Sequence, residues 1–272
     1  MTFIALACIA LYVAAAWQLG VRLLGATQHQ QQLPSVAMMG LGLVALCLHG
    51  ATLYETTLGP DGLRLGVFNV LSMVGWVVTA LVLFALRGRP LDNLGLFVLP
   101  LTALSVLLAW LLPSPASMSP SLGIGLQVHI GVSVLGYGLL ALAALQAALV
   151  ALQDHFLREK RWMGALRALP PLTRQEELLF QLIGAGFFFL SLSLASGAMY
   201  VTDLFGQHLV HKTVLSGLAW CVFGVVLFGR WRFGWRGRTV IRWCLAAFVL
   251  LMLGYFGAKL VLEEILGRSW SN

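Results

Sequence analysis

Eight separate runs of predominantly apolar residues follow one another along this chain, and nothing else in it restricts the fold as strongly. Each is about twenty residues long or more, enough for a helix to cross roughly 30 Å of hydrocarbon. A backbone in lipid must satisfy its own hydrogen bonds, and an open chain does so only as a helix. The expected fold class is therefore all-α: a polytopic membrane helical bundle of about eight transmembrane helices, with residues 1–272 forming a single transmembrane domain. The expected spans are Thr2–Gly25, Pro34–Glu55, Gly66–Leu86, Asn93–Leu112, Leu122–Gln153, Glu176–Tyr200, Val210–Gly229 and Thr239–Leu262. The first carries no basic leader and no small-residue cleavage site, so it reads as an uncleaved span.

Charged residues make up 10% of the chain, too few to cover a soluble protein of this length. The net charge of +7 is accordingly read as membrane topology rather than as a nucleic-acid surface. Thirteen of the 17 lysines and arginines fall on the side of the first connection; only Arg64, Lys212, Lys259 and Arg268 fall on the other. Positive charge stays in the cytoplasm, which places both termini outside. Clusters so placed are also compatible with anionic lipid. The fifth span is too long for the bilayer, and we expect it to project into the cytoplasm ahead of the basic connection 154–175. Cys8, Cys47, Cys221 and Cys244 are widely spaced in apolar runs and read as small buried apolar residues.

The residues that could carry chemistry are histidines. An ionisable ring inside hydrocarbon normally faces other helices, a cavity or a ligand. His49 and His129 each lie roughly 10 Å from the outer end of their spans, and His208 and His211 stand at the outer mouth of the seventh. Neutral imidazole is a common ligand for metals, haem iron among them, and two histidines on separate helices can hold a haem within a bundle. Taken alone, each reads equally as a packing histidine bonded to a neighbouring hydroxyl or carbonyl. His208 and His211 could also hold a divalent ion, although Asp203 is the only acid near them. Gly131, Gly136, Gly138, Ala141, Ala143, Ala144, Ala147 and Ala148, with Gly184, Gly186 and Gly197, favour close helix packing. Tyr137, Trp220 and Phe187–Phe189 read as packing or interfacial aromatics that could also line a flat ligand. No nucleophile triad, nucleotide loop or deep carboxylate pair is present. Ser191, Ser193, Ser196 and Asn69 are the only scattered polar residues a transport route could use.

Two stretches, His129-Ile-Gly-Val-Ser-Val-Leu-Gly-Tyr137-Gly and Gly197-Ala-Met-Tyr followed by His211-Lys212-Thr-Val-Leu-Ser-Gly-Leu-Ala-Trp220, give the chain its likeness to a known family. It resembles the membrane haem-handling, or cytochrome c assembly, superfamily, and within it the small eight-span YpjD/HemX-like inner-membrane branch. The resemblance covers most of the chain. It implies an integral protein of the bacterial inner membrane, with periplasmic termini, in which the outer-face histidine, His129 here, ligates haem. The larger members carry a tryptophan-rich outer loop; Leu204–His211 has no tryptophan. Their second outer histidine has no counterpart near Leu253–Phe256, and their inner histidine is Phe228 here. His49 or His211 would then stand in for the absent ligand to haem b, with Lys212 or Arg64 meeting the propionates. The function expected is non-enzymatic: binding or passing haem near the outer face. The alternative is a cofactor-free scaffold or regulator that docks another membrane protein.

Overall fold

In the computed structural model, described over residues 2–25, 36–59, 62–85, 92–113, 123–159, 170–200 and 210–257, every expected span is a helix. The helices are α1 (Thr2–Gly25), α2 (Val36–Thr57), α3 (Val67–Ala85), α4 (Asp92–Leu111), α5 (Ile124–Arg158), α6 (Leu172–Tyr200), α7 (Val210–Phe233) and α8 (Arg238–Met252). All eight are long and apolar enough to cross a membrane, counting α8 together with the π-helical turn Leu253–Gly257 that extends it. The chain is a multi-pass membrane protein. Between α2 and α3, strands β1 (Leu58–Gly59) and β2 (Gly62–Leu63) pair antiparallel, Leu58 with Leu63 and Gly59 with Gly62.

The ends differ from expectation where helices continue past the apolar runs into polar residues. α5 continues through Asp154-His155-Phe156-Leu157-Arg158, reaching 35 residues, or about 52 Å. An i,i+4 pair of Asp154 with Arg158 at 3.0 Å supports this extension. α6 begins at Leu172, directly after Pro170-Pro171. α7 runs through Arg230-Trp231-Arg232 and stops where Gly234 adopts φ +67°, a left-handed conformation that L side chains seldom enter.

The helices pack as two compact units, α1–α4 and α5–α8. Within each, neighbours in sequence pack together and the fourth helix closes on the first. The first unit is centred on Ala5, Cys8, Tyr12, Ala45, Leu99, Ala103 and Val106. The small residues on α1, α2 and α4 bring those backbones close. The second is centred on Leu140, Ala143, Ala147, Ile183, Phe223, Cys244 and Ala247. Its most extensive contact is α5 on α6. There, a Cβ built on Gly136 would lie 3.2 Å from the backbone nitrogen of Leu190, and one on Gly186 would lie 2.6 Å from Leu140 Cδ2. Gly136, Gly138, Ala143, Ala144, Ala147 and Gly186 are buried, whereas Gly131 and Ala148 point outward.

Two of the four cysteines depart from expectation. Cys8 and Cys244 are buried, but Cys47 and Cys221 stand on outward faces, and all four are free thiols. An apolar run does not reveal which of its residues face lipid, because lipid and core are equally apolar.

Candidate functional site

Both intramembrane histidines that the sequence singles out are described, and they differ in what their ring nitrogens do. His49 on α2 is fully buried. Its Nδ1 lies 3.2 Å from the Tyr12 hydroxyl on α1, and its Nε2 lies 2.8 Å from Ser72 Oγ on α3. The Tyr12 ring also meets it edge-on, with centroids 5.8 Å apart. Thr52 donates to the His49 carbonyl at 2.7 Å. Further along the same unit, the Thr79 and Thr102 hydroxyls lie 2.8 Å apart, joining α3 to α4. His49 thus ties three helices together with both nitrogens engaged. A ring so held meets its hydrogen-bonding needs inside the protein.

His129 is arranged otherwise. It is half-buried on α5, with Nδ1 2.9 Å from Ser196 Oγ on α6. Ser196 directs its hydroxyl toward the Ser193 carbonyl at 3.1 Å. A serine hydroxyl has one proton to give. Where Ser196 gives that proton to Ser193, it accepts from His129 Nδ1–H, and the lone pair of the neutral ring is then on Nε2. Among the described residues, Nε2 makes no hydrogen bond. One turn along α5, Ser133 donates to the His129 carbonyl and lies 2.6 Å from Ser193 Oγ. Gly197 lies against the ring: a Cβ there would sit 3.2 Å from His129 Cε1.

His129, Ser133, Ser193 and Ser196 therefore form one connected polar group across the α5–α6 contact. From the sequence, Ser193 and Ser196 read only as scattered hydroxyls. Their i,i+3 spacing, matched by the i,i+4 spacing of His129 and Ser133, was the available signal: residues so spaced share a helix face.

Lys212, in the first turn of α7, is close enough to His129 to act on it electrostatically. Its ammonium stands 4.9 Å from the centroid of the Tyr255 ring. Tyr255 in turn meets Tyr137 edge-on with centroids 6.2 Å apart, and Tyr137 donates to the Leu251 carbonyl at 3.3 Å. Tyr137, Tyr255 and Lys212 thus form a connected aromatic and cationic group within the second unit. His211 precedes Lys212 on α7, and its side chain lies outside the described residues, as do His208, Asp203 and Lys259. Arg64 belongs to the first unit, where it follows β2 and its backbone nitrogen bonds the Thr57 carbonyl at 2.8 Å.

The remaining aromatic candidates pack. Trp220 donates to Ser191 Oγ at 2.8 Å and stacks on Phe187 with centroids 5.4 Å apart, while Phe188 faces outward. Among the described residues no group of three or more His, Cys, Asp and Glu side chains could hold a bare metal ion.

Comparison with known proteins adds relatives to this geometry. Residues 37–266 match the family model described as cytochrome C assembly protein. The inner membrane protein YpjD of Escherichia coli K12 is 33% identical over 230 residues, 82% of this chain and 85% of that protein. Protein HemX of Brevibacillus brevis is 28% identical over 134 residues, 48% of this chain and 49% of that protein. The cytochrome c biogenesis protein CcsA of Chlamydomonas reinhardtii is 24% identical over 151 residues, 54% of this chain and 41% of that protein. No solved structure shows a significant match.

Proposed function

Since the chain belongs to the cytochrome C assembly protein family, we propose that it is a non-enzymatic protein of the bacterial inner membrane that binds or passes haem b at the outer face. The observation that carries this reading is His129 Nε2, which makes no hydrogen bond among the described residues while Nδ1 is held by Ser196. The Ser196 contact holds Nδ1, and a second partner of this kind is what orients metal-bound histidines in general. The donor chemistry fits haem: a neutral imidazole for the iron, aromatic and apolar surroundings for the macrocycle, and the Lys212 ammonium for a propionate. Bound haem would supply a redox-active iron. The chain's own part is to hold the His129 ring through Ser196, leave it room at Gly197 by the absence of a side chain and place the Lys212 cation nearby.

For the opposite ligand we favour His211. It adjoins Lys212 at the start of α7, in the same unit as His129. His49 has both nitrogens committed to Tyr12 and Ser72, so its ligation would require breaking a buried contact. The excess of basic residues on one side supports periplasmic termini.

The test is a reduced-minus-oxidised absorption spectrum of protein purified in mild detergent from haem-replete cells. A sharp low-spin band in near-stoichiometric amount, lost in His129→Ala, is expected. A colourless protein that also fails to take up added haemin would overturn the proposal in favour of a cofactor-free scaffold.

A further inference from the structure

The turn between α7 and α8 is held at several points. Gly234 N–H donates to the Arg230 carbonyl at 3.1 Å and Trp235 N–H to the Gly229 carbonyl at 3.2 Å. Trp235 folds back onto Gly229, where its ring leaves no room for a Cβ. Arg230 stands over Phe180 at 4.6 Å. The amide of Gly237 donates to Glu176 Oε1 at 3.0 Å, and Arg238 pairs with Asp154 at 3.2 Å. The turn is thereby fastened to both α5 and α6.

What this fixed turn presents outward is basic and aromatic. Arg232, Arg236 and Arg242 are exposed and, among the described residues, have no carboxylate partner. Trp231 is 81% exposed, Phe233 64% and Trp243 46%. On α8 the exposed positions Arg242, Trp243, Ala246 and Val249 recur at helical spacing, so they make one outward stripe. That stripe faces lipid, and Arg242 lies on it about 6 Å in from Arg238. An unpaired guanidinium at that depth is costly unless it reaches an anion at the headgroup level. Exposed tryptophans mark that same level. An acidic protein would account for Arg232 and Arg236, but not for a cation on a stripe shared with Trp243 and Val249.

We propose that the α7–α8 turn is a binding site for an anionic phospholipid, whose phosphate meets Arg232, Arg236 and Arg242 while its acyl chains lie along the outward stripe of α8. The site is independent of haem binding. Planar guanidinium forks suit phosphate oxygens, and because the turn is already held, little ordering accompanies binding.

The test compares thermal unfolding of the full-length protein in phosphatidylcholine nanodiscs with and without phosphatidylglycerol. Phosphatidylglycerol is expected to raise the midpoint of the wild-type protein. The shift should disappear in the triple variant Arg232→Gln, Arg236→Gln, Arg242→Gln and persist in the corresponding triple lysine variant. Each basic residue near an anionic surface contributes roughly fivefold to partitioning, so the glutamine variant should lose about a hundredfold in apparent lipid affinity. If that variant does not fold, Arg242→Gln alone should release bound phosphatidylglycerol about fivefold more readily in native mass spectrometry. An unchanged shift in the glutamine variant, or no shift in the wild type, would overturn the proposal. An equal shift with inorganic phosphate in phosphatidylcholine would overturn the lipid assignment and leave a free-phosphate site.

Discussion

Nδ1 of His129 lies 2.9 Å from Ser196 Oγ, across the contact between α5 and α6, and the same hydroxyl lies 3.1 Å from the Ser193 carbonyl. This pairing engages one nitrogen of a half-buried ring from the neighbouring helix. In the other unit, His49 is closed by Tyr12 and Ser72 together. Two histidines of similar depth therefore have different capacities, and the predictions below separate them.

Ser196→Ala should lower haem affinity without unfolding the protein. Loss of a partner that orients a metal-binding histidine typically costs about tenfold to a hundredfold in affinity. Haemin titration of the purified variant gives the number, and Ser196→Thr, which keeps the hydroxyl, should restore affinity. Unchanged affinity in Ser196→Ala would remove the orienting role.

His49→Ala should act on stability rather than on ligation. It leaves the Tyr12 and Ser72 hydroxyls without their buried partner and opens a cavity, together costing about 2–5 kcal/mol. The variant should unfold at lower temperature in detergent while its folded fraction keeps the wild-type haem spectrum. Conversion to a high-spin spectrum at full stability would make His49 a ligand after all. His211→Ala carries the opposite expectation: normal melting and a changed spectrum.

Gly186→Ala should loosen the second unit. The added methyl meets Leu140 Cγ at 2.7 Å and its backbone nitrogen at 3.3 Å, and overpacking of this kind costs about 1–3 kcal/mol. Thermal unfolding would show it as a lowered midpoint. Gly131→Ala, on an outward face with nothing within 4 Å, should leave the midpoint unchanged or raise it slightly.

Asp154→Asn removes the carboxylate shared by Arg158 at 3.0 Å and Arg238 at 3.2 Å. Both arginines are largely exposed, and exposed pairs are worth about 0–1 kcal/mol. The expected loss is correspondingly small and should vanish at high salt. A larger, salt-independent loss would assign Asp154 a role beyond these pairs.

Hydropathy, basic residues and breakers each belong to a single segment, and these features of the chain were legible without a fold. The eight spans follow from apolar length, and the α1 ends, Thr2 and Gly25, coincide with those expected. His129 stood out because an imidazole in hydrocarbon needs a reason. The overshoot of α5 past Gln153 and of α7 past Gly229 shows where that reading weakens. Outside hydrocarbon, Asp, His and Arg neither require a helix nor forbid one.

Which face each helix turns inward, and against which neighbour, was decided by tertiary structure alone. Rotation about a helix axis is set by packing, and a lipid-facing position is as apolar as a core one, so hydropathy leaves it open. That rotation turned Cys47 and Cys221 outward while burying Cys8 and Cys244. It joined Ser133, Ser193 and Ser196 to His129, and it gave both nitrogens of His49 to Tyr12 and Ser72. The sequence determined that histidines lie within the membrane; the packing of α5 on α6 decided what holds His129, because only that contact brings Ser196 to its ring.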